Sequence, residues 1–101
     1  MNIYIIKNEI DDRVYIGSTC KDIGLRWKKH VSNHNTKDKR HYKLYTHMRE
    51  LGKDKFYISL LDECDVCDRY MVEDAYILDY WDRCLNMKLN SSQNVLKDLR
   101  R

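Results

Sequence analysis

Apolar positions along this chain change period several times, and each change marks the edge of an element. Residues 2–7 alternate, with Ile3 and Ile5 on one face and Tyr4 and Ile6 on the other, the period of two expected of a strand. Asn8 to Arg13 is rich in turn formers, and Val14-Tyr15-Ile16 alternates again, which predicts a β-hairpin with Tyr4 and Tyr15 on one side. Gly17 is expected to end the second strand, where the backbone turns or something approaches it closely. Asp22 is a candidate N-cap for a helix from about Ile23 to Ser32. On it Arg26 and His30 stand four apart on one face, and Leu25, helped by Trp27 and Val31, is expected to supply the buried side. Residues 33–40 read as a polar loop. Leu44, Met48 and Leu51 give a second helix from His41 to Leu51, stopped by Gly52. Lys55 to Leu61 predicts a third strand. A third helix is predicted over Val66 to Tyr80, with Tyr70, Ala75, Ile77 and Leu78 as its stripe and Glu73 mid-helix.

The order β-β-α-α-β-α predicts an α+β fold, a small three-stranded antiparallel-containing sheet flanked by helices. Trp27, Tyr76 and Trp81 are assigned to the core, and His34 and His47 to the surface. Residues 1–90 are expected to form the domain, with Trp81 to Leu89 irregular or in a short helical piece. Residues 91–101 are expected to be a basic tail or a short docking helix.

Composition narrows the class. The 101 residues suit one domain, and no apolar run approaches the roughly 20 residues of a membrane span. The N-terminal residues lack a basic segment and a small-residue cleavage site, which points to an intracellular, reducing location, cytoplasmic or nuclear. In that setting Cys20, Cys64, Cys67 and Cys84 are expected to be free thiols. Cys64 and Cys67 have CxxC spacing, but a zinc site wants a second comparable pair. The net charge of +3 says little by itself. Its distribution says more: Arg26, Lys28, Lys29 and His30 form one basic cluster, and Lys37, Lys39, Arg40, His41 and Lys43 form another, fields that steer phosphates.

Two phenols, a guanidinium and an imidazole within thirty residues suit chemistry on a phosphodiester. Cleaving one takes a deprotonated water, positive charge at the phosphate and neutralisation of the leaving oxygen. The ordered segments Asn2-Ile3-Tyr4, Tyr15-Ile16-Gly17, Arg26 to His30, Glu73 to Ile77 and Leu85-Asn86 resemble the GIY-YIG nuclease family, over residues 2 to about 88. The chain is most similar to the stand-alone and homing-endonuclease type, with Asn2 in place of the first glycine of the name motif.

That resemblance implies a DNA endonuclease that cuts one strand per site, on duplex or branched DNA, with one Mg²⁺ or Mn²⁺ ion. It implies Glu73 as the metal ligand, Tyr4 as general base on water, Tyr15 orienting water or phosphate, and Arg26 holding the scissile phosphate. A phenol of pKa about 10 needs a nearby cation to act at neutral pH; His30 or the metal is expected to provide it. Gly17, Lys29, His41 and Asn86 are the expected substrate-binding positions, with Asn86 tying the C-terminal segment to the site. The protein is expected to act as a monomer or weak dimer, away from membranes. Three other readings compete: a catalytically weak DNA-binding module on the same basic face, an enzyme with Tyr4 as covalent nucleophile, and a zinc-bound interaction domain.

Overall fold

A computed structural model describes residues 1–39, 42–86 and 89. Its sheet runs β2-β1-β3, with β1 (Asn2–Asn8) between β2 (Tyr15–Thr19) and β3 (Phe56–Glu63), each pair antiparallel. Three helices follow the predicted order: α1 (Ile23–Asn33), α2 (Lys43–Leu51) and α3 (Arg69–Asp79). Single 3-10 turns at Lys37–Lys39, Lys53–Lys55, Val66–Asp68 and Trp81–Arg83 lie between or after them. His41, expected to bind substrate, and the expected tail at 91–101 lie outside the described residues.

Local chemistry sets the element ends. The Asn8 side chain accepts hydrogen bonds from the Ile10 and Asp11 amides, both 2.8 Å, and donates to the Asp11 carboxylate at 2.9 Å. That closes the turn after β1 in the manner of an Asx turn. The Asp22 carboxylate accepts from the Gly24 amide at 2.8 Å, so α1 begins where its N-cap was expected. Gly52 takes φ 97°, the left-handed geometry that lets the chain leave α2.

The register decides what faces what. Ile6 pairs with Tyr15 and Tyr4 with Gly17, so both phenols share a face with ring centroids 6.5 Å apart. On that face α1 and α2 bury Leu44, Tyr45 and Met48 against Tyr4 and Ile6, with Ile23, Trp27 and Val31 packed alongside. The opposite face carries Ile3, Ile5 and Ile16 under Ile77 of α3. Val14 forms a parallel bridge to Cys84, through Val14 N–H to Arg83 O at 3.0 Å and Leu85 N–H to Val14 O at 2.7 Å. This bridge brings the segment after α3 beside β2.

Several expectations about faces are corrected. Leu25 is 55 % exposed, and α1 instead buries His30 with Ile23, Trp27 and Val31 beside it. The α3 stripe is also rotated: Tyr70, Ala75 and Leu78 are exposed, while Glu73, Asp74 and Ile77 are buried. In each helix a polar residue takes a position that hydrophobicity alone assigns to an apolar one. Trp81 is exposed and Tyr76 half-buried, its hydroxyl donating to Asp62 at 2.8 Å. His47 is half-buried, 2.8 Å from Asp11, and His34 is half-buried against the Val31 carbonyl. Strand β2 does not stop at Gly17 but continues to Thr19.

Candidate active site

The Tyr4 hydroxyl is the centre of the buried polar groups. Tyr4 is only 1 % exposed. Its oxygen lies 2.7 Å from His30 Nε2 and accepts from Arg26 Nε at 3.2 Å. On the other side of the imidazole, His30 Nδ1 lies 2.8 Å from the Tyr45 hydroxyl. The i, i+4 spacing on α1 places Arg26 and His30 on one turn-to-turn ridge, so the two reach the same phenol.

Gly17 explains how that phenol fits. A Cβ at this position would fall 2.3 Å from the Tyr4 Cζ and hydroxyl oxygen, closer than any real contact. The glycine therefore serves a close approach, and what approaches is the Tyr4 ring itself.

Electrostatics follow burial. Burial pushes Tyr4 up to about 12, opposed by Arg26 and reinforced by Glu73. Tyr15 is raised as well, first by burial and then by Tyr4. Burial, with Arg26, Lys39 and Lys29 nearby, pushes His30 down to about 3. His30 is thus a neutral imidazole at neutral pH. Of the two expected sources of charge near Tyr4, His30 or the metal, burial disfavours a cationic His30, and Arg26 is the side chain whose charge and hydrogen bond oppose the rise of Tyr4.

Glu73 enters from the opposite layer. It is buried on α3, and its Oε2 accepts from the Ser18 hydroxyl at 2.5 Å. Ser18 in turn accepts from Arg69 Nε at 2.9 Å. Because β2 is an edge strand, the two layers meet beside it in a cavity of ≈ 510 Å³. Tyr15, Arg26, Tyr45 and Asn86 line that cavity together with Glu73, and Lys39 and Lys43 are among its lining. Tyr4 stands behind Arg26. Asn86 uses both ends of its amide on the β2 backbone, accepting from Ile16 N–H at 2.9 Å and donating to Ile16 O at 2.7 Å. Lys29 is exposed on α1 and does not line the cavity.

This arrangement can hold an oxyanion between cations and place a carboxylate opposite it. A match to the GIY-YIG catalytic domain runs over residues 1–82. The chain belongs to the GIY-YIG family. A viral relative, the MSV199 domain-containing protein 146R of Invertebrate iridescent virus 6, is 32% identical over 100 residues. That stretch is 96% of this chain and 38% of the relative, so the chain spans well under half of that protein. Among solved structures, the catalytic domain of homing endonuclease I-TevI matches with TM-score 0.72 and 27% identity, over 87% of this chain and 99% of that one. A glutamate-to-alanine mutant of the same intron endonuclease domain gives TM-score 0.73 and 26% identity, over 88% and 96%.

Against the GIY-YIG expectation, the structure draws Tyr4, Arg26 and His30 into one hydrogen-bonded cluster and opens Tyr15, Arg26, Glu73 and Asn86 onto one cavity. Sequence reasoning missed Ser18, Arg69 and Tyr45. Arg69 stands four residues before Glu73 on α3, a spacing that places it on the same helix face and was legible in advance. Tyr45 carried no such signal, since it reads as one more apolar member of the α2 stripe. All four cysteines are free, and the ligand-type cluster found among the described residues is Asp65, Cys67 and Asp68, without Cys64.

Proposed function

We propose that this chain hydrolyses a phosphodiester of DNA, one strand per site, by activated-water attack with one Mg²⁺ or Mn²⁺ ion on Glu73. The observation that carries this reading is the shared cavity: a fixed carboxylate, a guanidinium and a phenol from three elements line one space. The carboxylate suits such an ion, because Mg²⁺ favours one or two hard oxygens and keeps water and phosphate as its other ligands. Glu73 is held in place by Ser18, which leaves the carboxylate part of the cavity lining. A bound divalent ion supplies charge that favours a phenolate and neutralises the departing oxygen.

The remaining roles fall to the chain's own groups. Tyr4 is the general base on water. With a pKa near 12, roughly one phenol in 10⁵ is ionised at pH 7, so the base is scarce but strong. Arg26 donates Nε–H to the Tyr4 oxygen and stabilises the ionised form. The rest of its planar guanidinium suits a phosphate in the cavity. Tyr15 orients water or phosphate from the cavity wall. Asn86 fixes β2, and Tyr15 with it, through Ile16. The burial of Tyr4 argues against covalent attack on phosphorus, since a water molecule reaches a recessed oxygen more readily than a phosphodiester does.

Incubation with supercoiled plasmid and with branched DNA, in Mg²⁺ or Mn²⁺, tests this reading. The wild-type chain should nick, and Glu73→Gln should bind DNA without cutting. Metal-dependent cutting that survives Glu73→Gln would overturn the assignment.

A further inference from the structure

One direction of the hydrogen bonds around Tyr4 satisfies all of its partners among the described residues. A guanidinium donates and never accepts, so the Tyr4 oxygen accepts from Arg26. The Tyr4 proton then needs an acceptor, and among the described residues the partner within reach is His30 Nε2 at 2.7 Å. A neutral imidazole whose Nε2 accepts carries its own proton on Nδ1. That Nδ1–H points at the Tyr45 oxygen, 2.8 Å away. The Asn33 side chain near Tyr45 partly offsets the rise that burial imposes on that phenol. Its own O–H is left to donate, and Tyr45, unlike His30, lines the cavity. The chain runs from Arg26 through Tyr4 and His30 to Tyr45, every donor aligned in one direction. Aligned chains of this kind polarise one another.

From this geometry we propose that Tyr45 is a positioning residue which accepts from His30 Nδ1, supports the tautomer that Arg26 and Tyr4 set, and gives the Tyr4 proton its exit to the cavity. The inference rests on the reading of Tyr4 as general base. As Tyr4 ionises, its O–H proton passes to His30 Nε2, the Nδ1 proton passes to the Tyr45 oxygen, and the Tyr45 hydroxyl proton passes to cavity water. One proton leaves, Tyr4 becomes a phenolate, and His30 stays neutral with its tautomer reversed. The imidazolium is never required, which suits a histidine that burial holds unprotonated. Tyr42 stacks on Tyr45 with centroids 5.8 Å apart and planes at 20°, and this holds the relaying ring against α2.

Tyr45→Phe keeps the buried ring and removes only the hydroxyl. Two measurements on the full chain decide the case. In ¹⁵N NMR of the wild-type protein at neutral pH, His30 should carry its proton on Nδ1, and in Tyr45→Phe the Nδ1 resonance should shift because that N–H loses its acceptor. In single-turnover cleavage of plasmid DNA with Mg²⁺, Tyr45→Phe should slow the chemical step about tenfold, part of the 10²–10⁴ that acid–base catalysis supplies, with DNA affinity unchanged. Nε2-protonated His30 in the wild type, an unchanged rate in the variant, or a defect confined to DNA affinity would each overturn the relay. A wild-type chain that binds DNA and never cuts would instead overturn the nuclease reading and remove the relay's purpose. The tautomer is read without turnover, so the two failures are distinguishable.

Discussion

At the scale of single residues, the site depends on what is missing at position 17 as much as on what is present at position 4. A methyl group on Gly17 would occupy the space of the Tyr4 hydroxyl, 2.3 Å from it. The ring cannot retreat, because it is buried and its oxygen is held by both Arg26 and His30. Under the proposed role of Tyr4 as general base, Gly17→Ala is therefore expected to cut the DNA-cleavage rate by about 100-fold or more. It should also destabilise the fold by about 1–3 kcal/mol through overpacking, read from urea denaturation. Wild-type activity in this variant would show that the Tyr4 oxygen needs no fixed position. A second expectation concerns pH. Tyr4 is raised to about 12 and His30 lowered to about 3, so neither has its own midpoint near neutrality. Single-turnover rates between roughly pH 5.5 and 8.5 should climb steadily with the phenolate fraction, and a plateau near the ordinary histidine pKa would count against a neutral His30.

At the scale of elements, helix α1 couples the proposed site to stability through His30. Its folded-state pKa lies below the ordinary value of about 6.5, so below that pH the unfolded chain binds a proton that the folded chain refuses. Stability is fully present above the unfolded pKa and falls with acid, by up to about 1.4 kcal/mol per pH unit, until the folded pKa near 3. Carboxylates with lowered pKa values, Asp11 among them, add to the loss. The comparison that isolates the imidazole is urea denaturation of wild type and His30→Gln from pH 7 to 4, in which the wild type should lose stability more steeply. The same helix shows what a sequence can and cannot reveal. Its start was legible because Asp22 followed by helix formers is a local signal, realised as a side-chain bond to Gly24. The hairpin and the shared face of Tyr4 and Tyr15 were legible because a period of two fixes orientation. The burial of His30 and Glu73 was not. Hydrophobic patterning places charged and polar residues outward, and only the long-range partners Tyr4, Tyr45 and Ser18 make their interior positions favourable. The orientation of α3 was misjudged for the same reason: exposed Tyr70 and Leu78 looked like core, and buried Glu73 and Asp74 did not.

At the scale of the whole molecule, a net charge of +3 hides an uneven distribution. Arg26, Lys39 and Lys43 line the cavity that also holds Glu73, so positive charge is concentrated where a phosphate backbone would lie. If these three side chains each neutralise a phosphate, the logarithm of DNA affinity should fall against the logarithm of salt with a slope of about −2.7, about 40-fold between roughly 50 and 200 mM. Removing one of them without touching the chemistry should change the slope and not only the intercept. Lys43→Ala, measured by fluorescence anisotropy on a short duplex without divalent metal, is expected to weaken binding and flatten the slope by about 0.9. Glu73→Gln should do the reverse at the intercept, because it takes a negative charge from the cavity wall and leaves the cations in place. Binding tighter than wild type in that variant, with no cleavage once Mg²⁺ is added, would separate two roles of one cavity. Phosphate attraction would belong to the cations of α1, of the turn before α2 and of the start of α2, and bond breaking would need the carboxylate that α3 presents from the other side of the sheet. An unchanged slope in Lys43→Ala would place the DNA backbone on a different face of the molecule.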